Sequence, residues 1–351
     1  MDPVLLLLVV IVAILGFTYT NGFHDAANSI ATVVGTRVLT PRQAVLLGAV
    51  TNFLGALSGV AVAKTIGADM VDAHFITIGT VLCAMVAGIT WDVLTWYFGL
   101  PSSSTHALIG GLLGAALASA HNQWSVIKWT TGLYPKVVVP MFTSPLVGFA
   151  GGMIMMGLMY AIIRRMRPQL VDRVFGKLQL VSASYMGWAH GFNDGQKEMG
   201  LIALACYVAT TQSNLEHLPS WLGFLRTPDF KIAHWTQWAC GLAMATGTYI
   251  GGWRIIQTLG RKMVRLRPVQ GFAAETTAAT ILWMTGRMGM SVSTTHVITT
   301  SIMGVGCAKR FSALNWTLAE RIVWAWVLTV PASGAMGYGL ISLARLFGWV
   351  N

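Results

Sequence analysis

The sequence predicts an all-α integral membrane protein of about ten transmembrane segments, arranged as an inverted repeat with broken or re-entrant helices. Three observations carry this expectation. Of 351 residues, 55% are hydrophobic and only 10% charged, and the mean hydropathy is +0.63. Apolar stretches longer than the ~20 residues needed to cross a bilayer recur along the chain. Two short segments, GFHDAAN from Gly22 and GFNDGQK from Gly191, each place a carboxylate, Asp25 or Asp194, in otherwise apolar surroundings. A carboxylate is costly in hydrocarbon, so its repetition at matching places marks an ion or solute site at the interface of two halves. The third observation is where the basic residues fall.

Apolar segments lie at about 4–36, 42–64, 73–98, 102–120, 136–162, 179–208, 233–258, 271–286, 291–308 and 316–349. The first follows Asp2, has no basic region ahead of it and runs directly into the first Asp motif, so it reads as a retained helix and not a cleaved leader. The 38 glycines fit close helix packing or broken helices. With the N-terminus outside and every segment crossing, the cytoplasmic connections hold Arg37 and Arg42, the tract from Arg164 to Lys177, the tract from Arg261 to Arg267, and Lys309, Arg310 and Arg321. These are most of the 23 lysines and arginines, and the positive-inside rule favours this orientation in a cell (inner) membrane, with both termini external. The Asp25 segment then runs outside to inside and the Asp194 segment inside to outside. The halves are a first repeat over 1–163, a basic cytoplasmic linker over 164–178 and a second repeat over 179–351. The stretch from Thr210 to Lys231 is the largest external loop, and Trp124, Trp129, Trp235, Trp316 and Trp349, near segment ends, read as an aromatic belt.

The net charge of +11 raises nucleic acid as a partner, but the basic residues lie in short tracts between apolar segments. Their role is topological, nucleic acid is excluded, and the lipid bilayer is the expected surrounding. Four cysteines, Cys83, Cys206, Cys240 and Cys307, are scattered singly and read as small core residues.

A second pair of motifs strengthens the repeat: GLPSSSTHALIGGLLG from Gly99 and GMSVSTTHVITTSIMG from Gly289. In register, Ser103, Ser104, Thr105 and His106 match Ser293, Thr294, Thr295 and His296. Hydroxyls ahead of a helical run are good N-caps, and a helix start inside the membrane leaves amide N–H groups pointing forward. Two such starts supply donors and partial positive charge for a tetrahedral oxyanion, through Ser103, Ser104, Thr105, Ser293, Thr294 and Thr295. Asp25 and Asp194, with Asn28 and Asn193, supply hard oxygen ligands for a cation or metal. Cation and anion side by side cancel much of each other's field in a low-dielectric site, which makes joint transfer cheaper than that of either alone.

At these residues the chain resembles the inorganic phosphate transporter family, PiT, which includes phosphate permeases and some sulfate permeases. The resemblance covers nearly the whole chain and rests on both Asp motifs, both STH motifs and GFAAETTAAT from Gly271. It implies symport of inorganic phosphate held between the halves with cations beside it, no cofactor, and a homodimer. The motifs are closest to those of bacterial low-affinity phosphate permeases. Two positions depart from the family form: His24 stands where the form has Asn, and Lys197 replaces the last Asn of the second motif, the partner of Asn28. A fixed ammonium beside Asp194 can take the electrostatic place of a bound cation. The coupling ion is H+ or Na+, with a co-transported divalent metal as a further alternative. Protons or a metal–phosphate species are favoured over sodium, and His24 is the histidine best placed to carry a proton. Sulfate permeation and divalent-metal transport without an anion are the other readings of the same motifs.

Glu275, within the lead-in, orients a helix or accepts a proton from the substrate. Glu198 adjoins Lys197 and balances it, while Asp92 is expected to accept a hydrogen bond from a nearby hydroxyl. His24, His106, His190 and His296 all lie in the motifs, which invites a transition-metal site or a proton relay; His106 and His296 are expected instead to donate hydrogen bonds that hold the STH turns, and Arg287 to anchor at headgroups. An intramembrane hydrolase is disfavoured: Ser104 and His106 are two apart and no GxSxG turn is present.

Overall fold

A computed structural model describes residues 2–212 and 218–348. Among these residues the chain is helical throughout, with no strand and one isolated antiparallel bridge between Val71 and Ile127. The helices are α1 (Pro3–His24), α2 (Ala26–Gly35), α3 (Pro41–Ala56), α4 (Ala61–Lys64), α5 (Ile78–Tyr97), α6 (Ser104–Ser119), α7 (Val139–Ile163), α8 (Pro168–Gln212), α9 (His234–Ile250), α10 (Trp253–Gln257), α11 (Pro268–Arg287), α12 (Thr294–Cys307) and α13 (Trp316–Leu346). Four spans are long and apolar enough to cross a membrane: Pro3–Gly35, Ile78–Tyr97, Trp129–Ile163 and Trp316–Leu346. A fifth forms if Pro41–Ala56 and Ala61–Asp69, bent by 66°, count as one. The other segments expected from hydropathy are shorter or more polar helices, because they carry the buried polar residues of the centre.

The same order of elements occurs twice. A short helix followed by a π-helical turn appears as α4 with Thr65–Asp69 and again as α10 with Thr258–Lys262. The hairpin α5–α6 is rebuilt as α11–α12. Each turns at a glycine with positive φ, Gly99 at 65° and Gly289 at 68°, a conformation that L side chains enter only with strain. The hydrogen bonds match as well, Leu100 N–H to Thr95 C=O at 2.9 Å and Met290 N–H to Thr285 C=O at 3.0 Å.

The two halves interlock. On the side of α1, Gly22 packs against Met244 of α9, where an added Cβ would lie 2.3 Å from the carbonyl oxygen. At the matching place in α8, Gly191 packs against Asn52 of α3, with a Cβ 2.0 Å from its carbonyl oxygen. Each Asp-bearing helix therefore rests on the second long helix of the other half, at a distance only glycine permits. The same exchange joins α6 to α13 and α12 to α7.

Two apolar cores flank a polar layer. One gathers Leu7 to Phe17 of α1 with Met199 to Ala209 of α8; the other gathers Ala27 to Val34 of α2 with Val171 to Ala189 of α8. Following the chain, α1–α2 passes from the first core to the second, and α8 passes from the second to the first. The two Asp motifs thus cross the polar layer in opposite directions. At 45 residues, or about 68 Å, α8 exceeds the membrane thickness, and its N-terminal turns take in residues 168–178 of the expected linker. Trp124, Trp129 and Trp316 are exposed near helix ends, as a belt requires, whereas Trp349 lies outside the described residues.

Candidate functional site

The polar layer is built around Asp25 and Asp194. Asp25 is the single turn residue between α1 and α2 (φ −91°, ψ 3°), so its side chain projects where the helical ladder is interrupted. Its Oδ1 lies 2.6 Å from His24 Nδ1, and its Oδ2 accepts from Thr295 Oγ1 at 3.4 Å. The other ring nitrogen of His24 lies 3.0 Å from Thr95 Oγ1 and 3.4 Å from Ser102 Oγ, while Ser104 Oγ is 3.4 Å from Nδ1. Asn28 donates to Thr295 Oγ1 at 3.0 Å.

The second motif does not break its helix: α8 runs unbroken through Asp194. Lys197, one turn on, returns its ammonium to Asp194 Oδ1 at 2.5 Å. The same ammonium donates to Thr105 Oγ1 and, at 3.3 Å, to the Val292 carbonyl. Thr294 donates to Asp194 Oδ1 at 2.6 Å. Lys197 is fully buried, so its charge is tolerated only because three acceptors surround it.

Both STH helix starts converge on this pair. Ser103 and Ser293 are the N-caps, each accepting the main-chain N–H of His106 or His296 at 3.2 Å. Among the described residues the first amides of α6 and α12, at Ser104, Thr105, Thr294 and Thr295, have no carbonyl partner and face forward, as helix starts do. The turns are thus held by backbone amides and not by the imidazoles. The ring nitrogens of His106 and His296 have no hydrogen-bond partner among the described residues, and the rings meet edge to face with centroids 4.8 Å apart.

One ligand atom each from Asp25, His190 and Asp194 lies within 4.8 Å of the others. His190 is held by Asn52 Oδ1 at 3.0 Å from Nδ1, leaving Nε2 3.4 Å from Asp194 Oδ2. Beyond that 3.4 Å contact neither Nε2 nor Oδ2 has a hydrogen-bond partner among the described residues, and Asn193 Oδ1 is likewise unpartnered there while its amide donates to Leu282 C=O at 3.4 Å. Buried acceptors without donors fit a cation, and the carboxylate–imidazole set suits a proton or a divalent metal at least as well as sodium.

Glu275 is not brought to the helix starts. It accepts from Thr32 and Ser182, and from Gln179 Nε2 at 3.1 Å, joining α2, α8 and α11 one turn beyond Asn28. Glu198 makes no ion pair with Lys197 among the described residues, although it is close enough to feel that charge, and it accepts from Asn21 at 3.1 Å. Asp92 is buried beside the Ser104 hydroxyl, the kind of neighbour expected from sequence, although neither carboxylate oxygen accepts a hydrogen bond of ordinary geometry among the described residues. Arg287 stacks over the Trp283 ring at 5.3 Å. Asn52, Thr95 and Ser102 enter the site without having been placed there from sequence, whereas His190 is one of the motif histidines read as a metal or proton-relay candidate. The four-residue spacing of His190 from Asp194 puts the two on one helical face, and no comparable spacing marks Asn52, Thr95 or Ser102.

A helical membrane protein with a buried, charged centre between two interlocked halves is a carrier by class. The comparisons agree: the model of the Phosphate transporter family matches residues 21–171 and again 163–337. A protein of Bacillus subtilis named "Probable low-affinity inorganic phosphate transporter" is 39% identical over 96% of this chain and 97% of its own length. A protein of the same name from Rhizobium meliloti is 44% identical over 93% of each. Among solved structures, one titled "The sodium-dependent phosphate transporter" superposes with a TM-score of 0.85 over 97% of this chain and 99% of that one, at 23% identity, which shows a shared fold. The chain belongs to the phosphate transporter family, whose members are transporters and not enzymes.

Proposed function

We propose that the protein is a secondary active symporter that brings inorganic phosphate inward with a cation by alternating access, across a cell membrane and with both termini outside. The observation that carries this reading is the convergence of two helix starts on two aspartates in a buried centre. The free amides of α6 and α12, with the hydroxyls of Ser103, Ser104, Thr105, Ser293, Thr294 and Thr295, offer donors to a tetrahedral oxyanion. The carboxylates beside them offer an acceptor for the proton of hydrogen phosphate, which sulfate lacks, so phosphate is preferred.

The coupling set is Asp25, Asn28 and Asp194 with His24 and Lys197. The two carboxylates are not equivalent. Asp194 has a resident ammonium at 2.5 Å and Asp25 a titratable imidazole at 2.6 Å, which supports proton or metal–phosphate coupling over a symmetric pair of sodium sites. His24, between Asp25 and Thr95, is placed to carry a proton. The cluster of Asp25, His190 and Asp194 favours a divalent metal as the co-transported species where phosphate arrives as its metal complex. The opposite passage of α1–α2 and α8 through the polar layer supports two inverted repeats, over 1–163 and 179–351, that rock about this centre. Glu275 acts by positioning α2 and not by touching substrate. Counterflow of labelled phosphate in proteoliposomes tests the reading. Wild type should exchange and Asp194→Asn should not; exchange by both would remove Asp194 from the site.

A further inference from the structure

Away from the transport centre a cavity of about 920 Å³ opens among the end of α7, the start of α8, the connection from α10 to α11 and the end of α12. Six cations line it: Arg261, Lys262, Arg265, Arg267, Lys309 and Arg310. All six are exposed, and none is in an ion pair among the described residues; the single acid on the wall is Asp172. Positive-inside topology accounts for basic loops, but not for the gathering of six cations around a concavity with a single acid on its wall. The rim is also fixed in place. Asn315 N–H donates to the Met263 carbonyl at 3.1 Å, tying the two basic loops together, and a Cβ on Gly306 would lie 2.8 Å from Val264.

The cavity is not the transport centre seen from below. The 14 residues of α12 put about 21 Å between Thr294 and the cavity end of that helix. Its volume is within the ~300–1,000 Å³ of sites for drug-sized ligands and far beyond what one tetrahedral oxyanion fills. One wall is apolar, with Met156, Tyr160 and Ile163 from α7, and the outward face of that helix exposes Ile154, Leu158 and Ile162 to the bilayer. Cations at headgroup height beside a lipid-facing wall fit a phosphate ester that carries an apolar tail.

We propose that this cavity binds a phosphate-bearing headgroup, supplied by an anionic phospholipid of the same leaflet or, by the same chemistry, by a free phosphorylated solute. The site rests on the membrane orientation given above and is independent of which ion is transported. It is tested by binding and not by uptake, in nanodiscs holding the full chain. Wild type, a triple variant (Arg261→Gln, Arg265→Gln, Lys309→Gln) and a control on the opposite face (Lys231→Gln, Arg287→Gln) are compared by native mass spectrometry. Phosphatidylglycerol is presented against phosphatidylcholine; in a separate arm pyrophosphate is titrated into discs of phosphatidylcholine alone.

Each near-surface cation contributes about fivefold, so the triple variant should lose retention of phosphatidylglycerol by about a hundredfold while the control keeps it. Pyrophosphate binding lost in the triple variant, without a lipid preference, supports the site and assigns the soluble source. Equal lipid retention by wild type and triple variant without pyrophosphate binding overturns the proposal, as does an equal loss in the control. Should the triple variant not assemble, Arg265→Gln alone is expected to weaken binding about fivefold, and no change would overturn it.

Discussion

Replacing Lys197 by Asn, the residue at the matching position 28, removes an ammonium held by Asp194 at 2.5 Å, by Thr105 and by the Val292 carbonyl at 3.3 Å. Asp194 keeps Thr294 at 2.6 Å and His190 at 3.4 Å, but loses its only permanently charged partner. Breaking a buried pair in this way costs about 3–5 kcal/mol, because the remaining charge is left uncompensated. If the ammonium stands in for a bound cation, an added ion that enters the vacated place should restore part of that loss. At a hundred times its dissociation constant the ion returns about 2.7 kcal/mol. The assay is thermal unfolding of the purified protein in sodium, lithium or choline chloride at equal ionic strength. Lys197→Asn should melt well below wild type in choline and recover partly in sodium or lithium, whereas wild type should be indifferent to the cation. A variant as stable as wild type in choline, or a wild type that itself needs sodium, would refute the substitution of ammonium for ion.

Asp25→Asn should abolish phosphate uptake while leaving helix content and membrane insertion unchanged, as read by circular dichroism and fractionation, because partitioning does not depend on that carboxylate. Gly191→Ala places a methyl 2.0 Å from the Asn52 carbonyl and should cost more than the about 1–3 kcal/mol of ordinary overpacking, seen as loss of monodisperse protein in size-exclusion chromatography. Ser293→Ala removes the cap of α12 and should cost about 0.5–2 kcal/mol of stability together with a raised KM for phosphate. Glu275→Gln should lower the maximal rate with KM little changed, since its contacts are to Thr32, Gln179 and Ser182 and not to the helix starts.

Much of the centre was legible because its determinants are local. A carboxylate in an apolar run and hydroxyls at a helix start announce themselves in a few residues, and their repetition links the halves. Asp25, Asp194, Thr294 and Thr295 do meet. What sequence could not give depends on which helix faces which. Asn52 reaches His190 only because α3 of one half packs on α8 through Gly191, and no local pattern records that exchange. Glu275 shares the lead-in to the STH motif but lies several turns before the helix start on another helix, so sequence left open whether it orients a helix or takes a proton, and its contacts to Thr32, Gln179 and Ser182 fit the first. Hydropathy marked ten segments, and the one carrying Asp25 is apolar enough to pass as a span while others fall short by length or by polar content. Segments such as 271–286 and 291–308 are helices, as read, and fall below the length or apolarity that marks a span by composition alone.

The account's central claim is tested most directly by uptake of radiolabelled phosphate into proteoliposomes, with sulfate as competitor and with proton and sodium gradients imposed separately. The account predicts uptake that follows the proton gradient, resists sulfate and disappears in Asp25→Asn. Uptake that follows sodium and ignores the proton gradient would contradict the coupling assigned to His24 and Lys197, and no uptake of phosphate under either gradient would contradict phosphate symport itself.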